Sequence, residues 1–466
     1  KIFNNMILRH LDINGYHCYK ETGFDFAKEV TVLIGKKGTG KSSLLKAICD
    51  SLSFIFNSSE KSWGFSSLAN GISELGVANI QLREIYHNER MEVADNVTLH
   101  GLALFQGIEL NWKFCKMSKT NSYVQSSLYK DAYIAFMKKF KETGKLPVLS
   151  YYSDRYPHIN TKMGKTVKEY LEKDDIFAQN WGYYQWNDFT SCTEIWQKRF
   201  IKANNLLMSF TRSLEKLKKE KSSAVTSITQ QVKTLKSEID YVTKYIRLFT
   251  DNCYEELSDR SDDIKVVDLV IDGIDEFFIK CIFEDGVIRR WDELPAGYER
   301  LFSIIFDLAY RSYILNGSTG EPEGLVIIDE VDLHLHPSLE QDVLQRLKKT
   351  FPHIQFIIAT HSPLVISNFR QDENNIVIQM ERNAANYKHY VLPDIYGMDY
   401  NYTLSEVMGT EPRNSYLNSL KEKYIRLARR GKKTSQTQVL ETLRSLVSSE
   451  RFEQLKTELE QSVQEG

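Results

Sequence analysis

Gly35-Lys36-Lys37-Gly38-Thr39-Gly40-Lys41-Ser42 is the stretch whose reading decides the fold. It satisfies the pattern GxxxxGK[ST] in full. Just before it, residues 30–34 form a short apolar run that stops at Gly35, as a buried strand would. Just after it, Leu44, Leu45, Ile48, Leu52 and Ile55 recur at helical spacing, which predicts a helix over 41–56. A glycine-rich loop between strand and helix folds tightly enough to turn backbone N–H groups inward onto phosphate oxygens. Lys41 then reaches the outer phosphates, and the Ser42 hydroxyl is placed to ligate magnesium. A glycine turn that merely happens to precede a lysine would lack that strand and helix.

Two later strand ends belong with the loop. Leu325-Val326-Ile327-Ile328 is apolar and ends in Asp329-Glu330, so a buried strand delivers two carboxylates to its carboxyl end, where an α/β sheet places its ligands. Asp329 would hold magnesium directly or through water, and Glu330 would polarise the water that attacks a terminal phosphate. The next apolar run, 355–358, leads into Ala359-Thr360-His361-Ser362-Pro363, which puts His361 where it can face that phosphate. An isolated histidine is more often a surface residue; its place directly after the acid-tipped strand favours the functional reading.

Composition bounds the rest. With 466 residues the chain has room for two to four lobes, and 42% hydrophobic with 26% charged residues describes a folded globular protein. A net charge of -2 advertises no global affinity for nucleic acid or anionic membranes, so any such contact needs a local patch. Cys18, Cys49, Cys115, Cys192, Cys253 and Cys281 form no CxxC pair, which argues against a disulfide framework or a thiolate zinc site and fits a reducing cytoplasm. No apolar run approaches bilayer-spanning length, so no membrane role is expected.

The predicted organisation is α/β. Residues 1–157 hold the first half of the α/β domain with the phosphate-binding loop, together with an antiparallel β lobe over 77–114, a helix near 122–142 and a strand at 148–152. Residues 158–261 form a helical insertion, in which Leu214, Leu217, Val225, Ile228, Val232, Leu235, Ile239, Val242, Ile246 and Phe249 keep three- and four-residue steps. Continuous from 201 to 250 it would run roughly 75 Å; a turn at Ser222-Ser223 would make it a hairpin. A lobe packed on its own domain is as good a reading as a projecting arm. Lys216, Lys218, Lys219 and Lys221 lie close together there, but neighbouring acids make them a solvated face rather than a DNA contact. Residues 262–410 return to strands at 266–271, 277–283, 325–328, 355–359 and 376–379 with helices at 298–315 and 339–349, an alternation that suggests a parallel sheet with crossovers. Residues 411–466 form a polar helical tail divided by Gly431 and carrying Arg426, Arg429, Arg430, Lys432 and Lys433.

In order and spacing these motifs resemble the ATP-binding head of the ABC/SMC class of ATPases, in particular the prokaryotic antiphage group that includes overcoming-lysogenization-defect proteins and the ATPase subunit of Septu and retron-Septu systems. The likeness covers about 7–57 and 262–409. It implies ATP and Mg2+ as ligands, with Gly35, Lys36, Lys37, Gly38, Thr39, Gly40, Lys41, Ser42 and Ser43 around the phosphates and Ser42 and Asp329 on the metal. It makes Glu330 the hydrolytic glutamate, His361 the switch histidine and Asp332 the D-loop aspartate, and gives Gly297 a place on a partner's nucleotide. Leu333-His334-Leu335-His336-Pro337 is the family's usual continuation, a structural turn rather than a metal site. The signature segment departs from the pattern: Pro295 stands where a serine usually donates across a dimer, and it has neither hydroxyl nor N–H. Lys37 replaces a frequent asparagine, and Tyr151-Tyr152-Ser153-Asp154-Arg155 occupies the glutamine-loop position without a glutamine.

Several functions remain open at this stage. A switch ATPase would dimerise head to head and separate on hydrolysis; a scaffold would hold ATP and turn it over slowly or not at all, and Pro295 is its mark. An SMC-like ATPase acting on DNA is a further alternative, whereas a transporter ATPase suits the helical insertion poorly. The segment after Gly409 is too short for the Toprim nuclease of overcoming-lysogenization-defect proteins. The resemblance therefore implies a separate HNH-type nuclease partner and a reverse transcriptase with its RNA-DNA product; the C-terminal helices with the Arg426 to Lys433 cluster are the expected docking surface.

Overall fold

The structure, a computed structural model, describes residues 6–56, 77–87, 89–118, 124–156, 179–187, 193–219, 223–251, 265–273, 276–383, 386–410 and 415–464. Ser122, Ser222, Lys221, Cys192, Cys253 and much of 158–261 fall outside these residues. The chain divides into two compact units, Lys1–Gly397 and Met398–Gly466.

The first unit opens with β1 (Met6–Tyr16), β2 (Tyr19–Asp25) and β3 (Val30–Ile34), followed by α1 (Lys41–Leu52). The helical run predicted to 56 stops at Leu52, and Ser53–Phe56 tightens into a 3-10 turn. Next come β4 (Glu84–His87), β5 (Arg90–Val93), β6 (Asn96–Phe105), β7 (Ile108–Met117), α2 (Lys130–Thr143) and β8 (Val148–Tyr152). The expected β lobe is an antiparallel sheet in the order β2-β1-β6-β7, with β4 and β5 paired separately. Helices α3 (Thr193–Lys219) and α4 (Val225–Thr250) follow, then β9 (Val266–Asp272), β10 (Phe278–Phe283), β11 (Ile288–Arg290) and α5 (Ala296–Asn316). The rest of the unit is β12 (Glu323–Ile328), α6 (Pro337–Glu340), α7 (Val343–Thr350), β13 (His353–Ala359), α8 (Pro363–Ser367), β14 (Asn375–Asn383) and β15 (Asn386–Val391).

The sheet that organises the head runs β15-β14-β3-β13-β12-β8. Its five strands from β14 to β8 are parallel, and β15 closes one edge antiparallel. β3 and most of β12 and β13 are buried along their length, which is why they read as unbroken apolar runs. The alternation expected over 262–410 is corrected in one respect. β9, β10 and β11 do not join this sheet but form an antiparallel sheet of their own. The link from Asp272 to Phe278 has room for a hairpin and not for a crossover.

The inserted helices form a hairpin rather than one long rod. Arg199 on α3 pairs bidentately with Glu238 on α4 at 2.7 and 2.6 Å, and both are buried. Its base is packed on α5, with the Trp196 and Tyr310 rings stacked at 5.4 Å and the Tyr241 hydroxyl bonded to Ser312. No described residue of α3 after Ala203, or of α4 before Leu235, is buried. Both expectations for the lobe therefore hold in part: a packed base, and an exposed tip that leaves the base over roughly 24 Å of helix.

The second unit was expected from 411 and begins at Met398. Its helices α9 (Ser415–Arg429), α10 (Lys433–Leu446) and α11 (Ser449–Gln464) enclose a small core of Leu420, Val439, Leu443, Phe452 and Leu459. Gly431, at φ +66°, turns the chain between α9 and α10.

Candidate active site

The loop from Gly35 to Gly40 joins β3 to α1, as its pattern predicts. Gly35 has φ +144°, and a Cβ there would stand 2.3 Å from the Met380 carbonyl oxygen; Gly40 has φ +98°, and a Cβ would meet the Tyr19 hydroxyl at 2.6 Å. Only glycine fits either place. The Thr39 hydroxyl donates to the Lys36 carbonyl at 2.9 Å and tightens the turn. Lys41 is buried and arches over the loop, its Nζ donating to the carbonyls of Gly35 at 2.7 Å and Lys36 at 3.2 Å. Burial pushes its ammonium below the usual lysine value, and the charges of Asp329, Glu330 and Asp332 pull it back. Its charge therefore sits at the loop with little screening by water.

The acids arrive from the adjoining strands. Ile328 of β12 is in register with Tyr152 of β8, and the Asp329 amide donates to the Tyr152 carbonyl at 2.8 Å. Asp329 is buried; desolvation raises its pKa, and the Ser42 hydroxyl hydrogen-bonds its carboxylate. Glu330 follows at φ +49°, a left-handed conformation that costs a non-glycine residue energy and that clusters at functional sites. Its pKa is raised by burial first and then by Asp329, Asp154 and Asp332. His361, two residues past β13, is held below the usual imidazole value by burial and Lys41, so it is neutral at pH 7. Asp332 accepts from the Thr360 hydroxyl and from the His361 amide at 3.2 Å, which ties the segment after Glu330 to the histidine.

Other sequence-predicted residues are placed differently. Ser43 lies on the first turn of α1 and hydrogen-bonds the Cys18 thiol. Gly297 is buried, and a Cβ on it would stand 2.5 Å from the His334 carbonyl, so within its own chain it serves the close packing of α5 on that turn. Pro295 and Ala296, ahead of it, are exposed. His336 caps α6 through Ser338, in keeping with a structural turn, and no metal-binding group of three is present among the described residues.

Two residues had no assigned role in the sequence. Asp154, two positions past β8, is exposed where a glutamine was sought, and its charge bears on Asp329, Glu330 and Arg300. Arg300, one turn into α5, is buried, and among the described residues no carboxylate is bonded to it. It donates to the carbonyls of Tyr156 (3.0 Å), Ser153 (3.2 Å), Asp329 (2.9 Å), Glu330 (2.8 Å) and Val331 (3.4 Å). That clamp supports the unusual backbone at Glu330. The signal was Arg300, Asp307 and Arg311 lying within a largely apolar helix, and all three are buried there. Asp307 likewise gathers Tyr152, Trp196 and Arg311, joining β8, α3 and α5.

The profile of a family described as an AAA ATPase domain matches residues 6–366. The chain belongs to this family. It is an ATPase, and its nucleotide-binding loop and acid-tipped strand lie inside the matched region. Its relatives include the "Retron Vc95 probable ATPase" of Vibrio cholerae serotype O1 biovar El Tor, 24% identical over 421 residues, 82% of this chain and 76% of that one. The "Septu protein PtuA" of Bacillus mycoides (strain KBAB4) is 30% identical over 145 residues, 30% of this chain and 19% of that protein. Among solved structures, an Smc head bound to the C-terminal winged-helix domain of ScpA aligns at TM-score 0.44 and 12% identity, over 83% of this chain and 97% of that one. Among the described residues no helix is long and apolar enough to cross a membrane.

Proposed function

We propose that this ATPase is the switch subunit of a cytoplasmic antiphage defence complex: it binds and hydrolyses ATP as a head-to-head dimer and controls a separate nuclease effector. The observation that carries the ATP chemistry is the convergence of Lys41, Ser42, Asp329, Glu330 and His361 on one phosphate loop. Loop amides and Lys41 bind the phosphates; Glu330 orients and deprotonates the attacking water; neutral His361 hydrogen-bonds the terminal phosphate. Ser42 and Asp329 fit Mg2+, since they are hard oxygen donors in a pocket whose carboxylates have their pKa raised first by burial and then by neighbouring acids. The ion supplies neutralisation of phosphate charge when bound. Magnesium needs only one or two protein oxygens beside phosphate, which agrees with this pair.

The retron and Septu names of the relatives support the defence setting; an HNH-type nuclease as effector and a reverse transcriptase with its RNA-DNA product as a further partner follow from the resemblance of the motifs to that group. Exposed Pro295 at the head of α5 favours a second reading, a scaffold that holds ATP with little turnover. Steady-state ATP hydrolysis with magnesium separates the two. Wild type turning over, with Glu330→Gln binding ATP but losing roughly 100-fold or more of the rate, supports the switch. ATP binding by both with hydrolysis by neither, even with partners added, supports the scaffold.

A further inference from the structure

We propose that the nucleoside end of the bound nucleotide is held by Arg382 and Tyr387 on the β14–β15 hairpin. This rests on the nucleotide-binding reading and supplies the half of the site that the motifs leave out. The sheet fixes which way the triphosphate lies. β12 and β13, which bring the acids and His361, lie on one side of β3, so the terminal phosphate faces that side. β14 lies on the other side, paired with β3 up to Gln379↔Ile34, and the nucleoside must leave toward it.

β14 continues past the end of β3 alongside the loop. Its Met380 carbonyl presses on Gly35, and a guanidinium nitrogen of Arg382 lies 3.7 Å from where a Cβ on Gly38 would stand. Arg382 is exposed and lies over the ring of half-buried Tyr387, 5.7 Å from its centroid. A flat cation over an aromatic ring is a surface on which a heterocyclic base stacks. Tyr387 meets Tyr19 edge-on at 5.8 Å. Tyr19 offers no such surface, because it is buried with its hydroxyl donating to the Gly40 carbonyl at 2.9 Å, where it supports the loop from behind. Ser43 on the first turn of α1 hydrogen-bonds the Cys18 thiol, and the Arg382 charge acts on the same thiol, so guanidinium, thiol and helix start lie together beside the loop. The ligand that suits it is a nucleoside triphosphate with its base on the Arg382–Tyr387 face.

The test compares Mg-ATP with Mg-tripolyphosphate, the same charged chain without a nucleoside, by calorimetric titration of the full chain. Arg382→Ala and Tyr387→Ala are expected to weaken ATP on the order of ten-fold; Tyr387→Ala leaves tripolyphosphate unchanged, and Arg382→Ala, which removes a cation beside the loop, weakens it by much less than it weakens ATP. Tyr387→Phe keeps the ring and the ATP affinity; Arg382→Lys keeps the charge without the plane and still loses ATP affinity. Equal weakening of both ligands, or unchanged ATP affinity in both alanine variants, overturns the subsite. Wild-type chain that binds neither ligand overturns the nucleotide reading itself.

Discussion

The two flanks of the phosphate loop are built on different terms. Toward β12 and β13 the loop meets Asp329, Glu330, Asp332 and, just past β8, Asp154; burial raises the pKa of Asp329 and Glu330, and the Asp154 charge adds to both. Toward β14 it meets an arginine over a tyrosine ring. The acid flank has to position charge at particular atoms and needs a buried frame to do so. The other flank presents a flat face, for which an exposed hairpin suffices. Substitutions on the two flanks should therefore differ in kind: the first changes the rate and, at its buried frame, the fold as well, whereas the second shifts only affinity.

Arg300→Met is the sharpest way to break that contrast. It removes the donor to five carbonyls and the support under the left-handed Glu330 backbone. Leaving such buried acceptors unpaired costs about 3 kcal/mol. The expected outcome is a lower thermal unfolding midpoint together with lost ATP turnover, while Tyr387→Ala unfolds as the wild type does. An Arg300→Met protein with unchanged midpoint and turnover would show that the acid flank holds its geometry without the clamp.

The same contrast explains what was legible in the sequence. The loop, α1, β12 and β13 could be read because central parallel strands are unbroken apolar runs and because the chemistry demands particular residue types at their carboxyl ends. The antiparallel pairing of β9 and β10 could not, since a short apolar strand carries no mark of its direction. Arg300 acts on carbonyl oxygens, which every residue has, so none of its partners leaves a trace in the sequence. Asp154 was hidden by the search for a glutamine, and Arg382 and Tyr387 by being residue types common in any exposed hairpin.

Pro295→Ser is the intermediate case. Pro295 caps α5 at φ -54° and ψ 139° without a side-chain hydrogen bond, a backbone that serine adopts freely. The serine hydroxyl can accept an amide of the first turn, which stabilises by about 1 kcal/mol at most. If two heads sandwich ATP, the restored hydroxyl also reaches the partner's phosphates, and turnover should rise several-fold, more at high protein concentration. A rise in stability with flat, concentration-independent turnover would confine this end of α5 to a structural role.

Asp154→Asn carries the smallest expected effect and tests the acid flank alone. The charge of Asp154 helps hold Glu330 protonated at higher pH than an ordinary carboxylate. Turnover that needs ionised Glu330 is therefore lost as pH falls through that raised value. Removing the Asp154 charge lowers the Glu330 pKa, so the acid limb of kcat/KM, which reports on the free enzyme, should move to lower pH. The His361 pKa is depressed by burial and Lys41, and the acids that act on it most are Asp332 and Asp329. Any limb set by the histidine should therefore stay where it is. A limb that does not move in Asp154→Asn but moves in His361→Gln would assign the acid side of the profile to the histidine, and Glu330 would then be ionised throughout the working range.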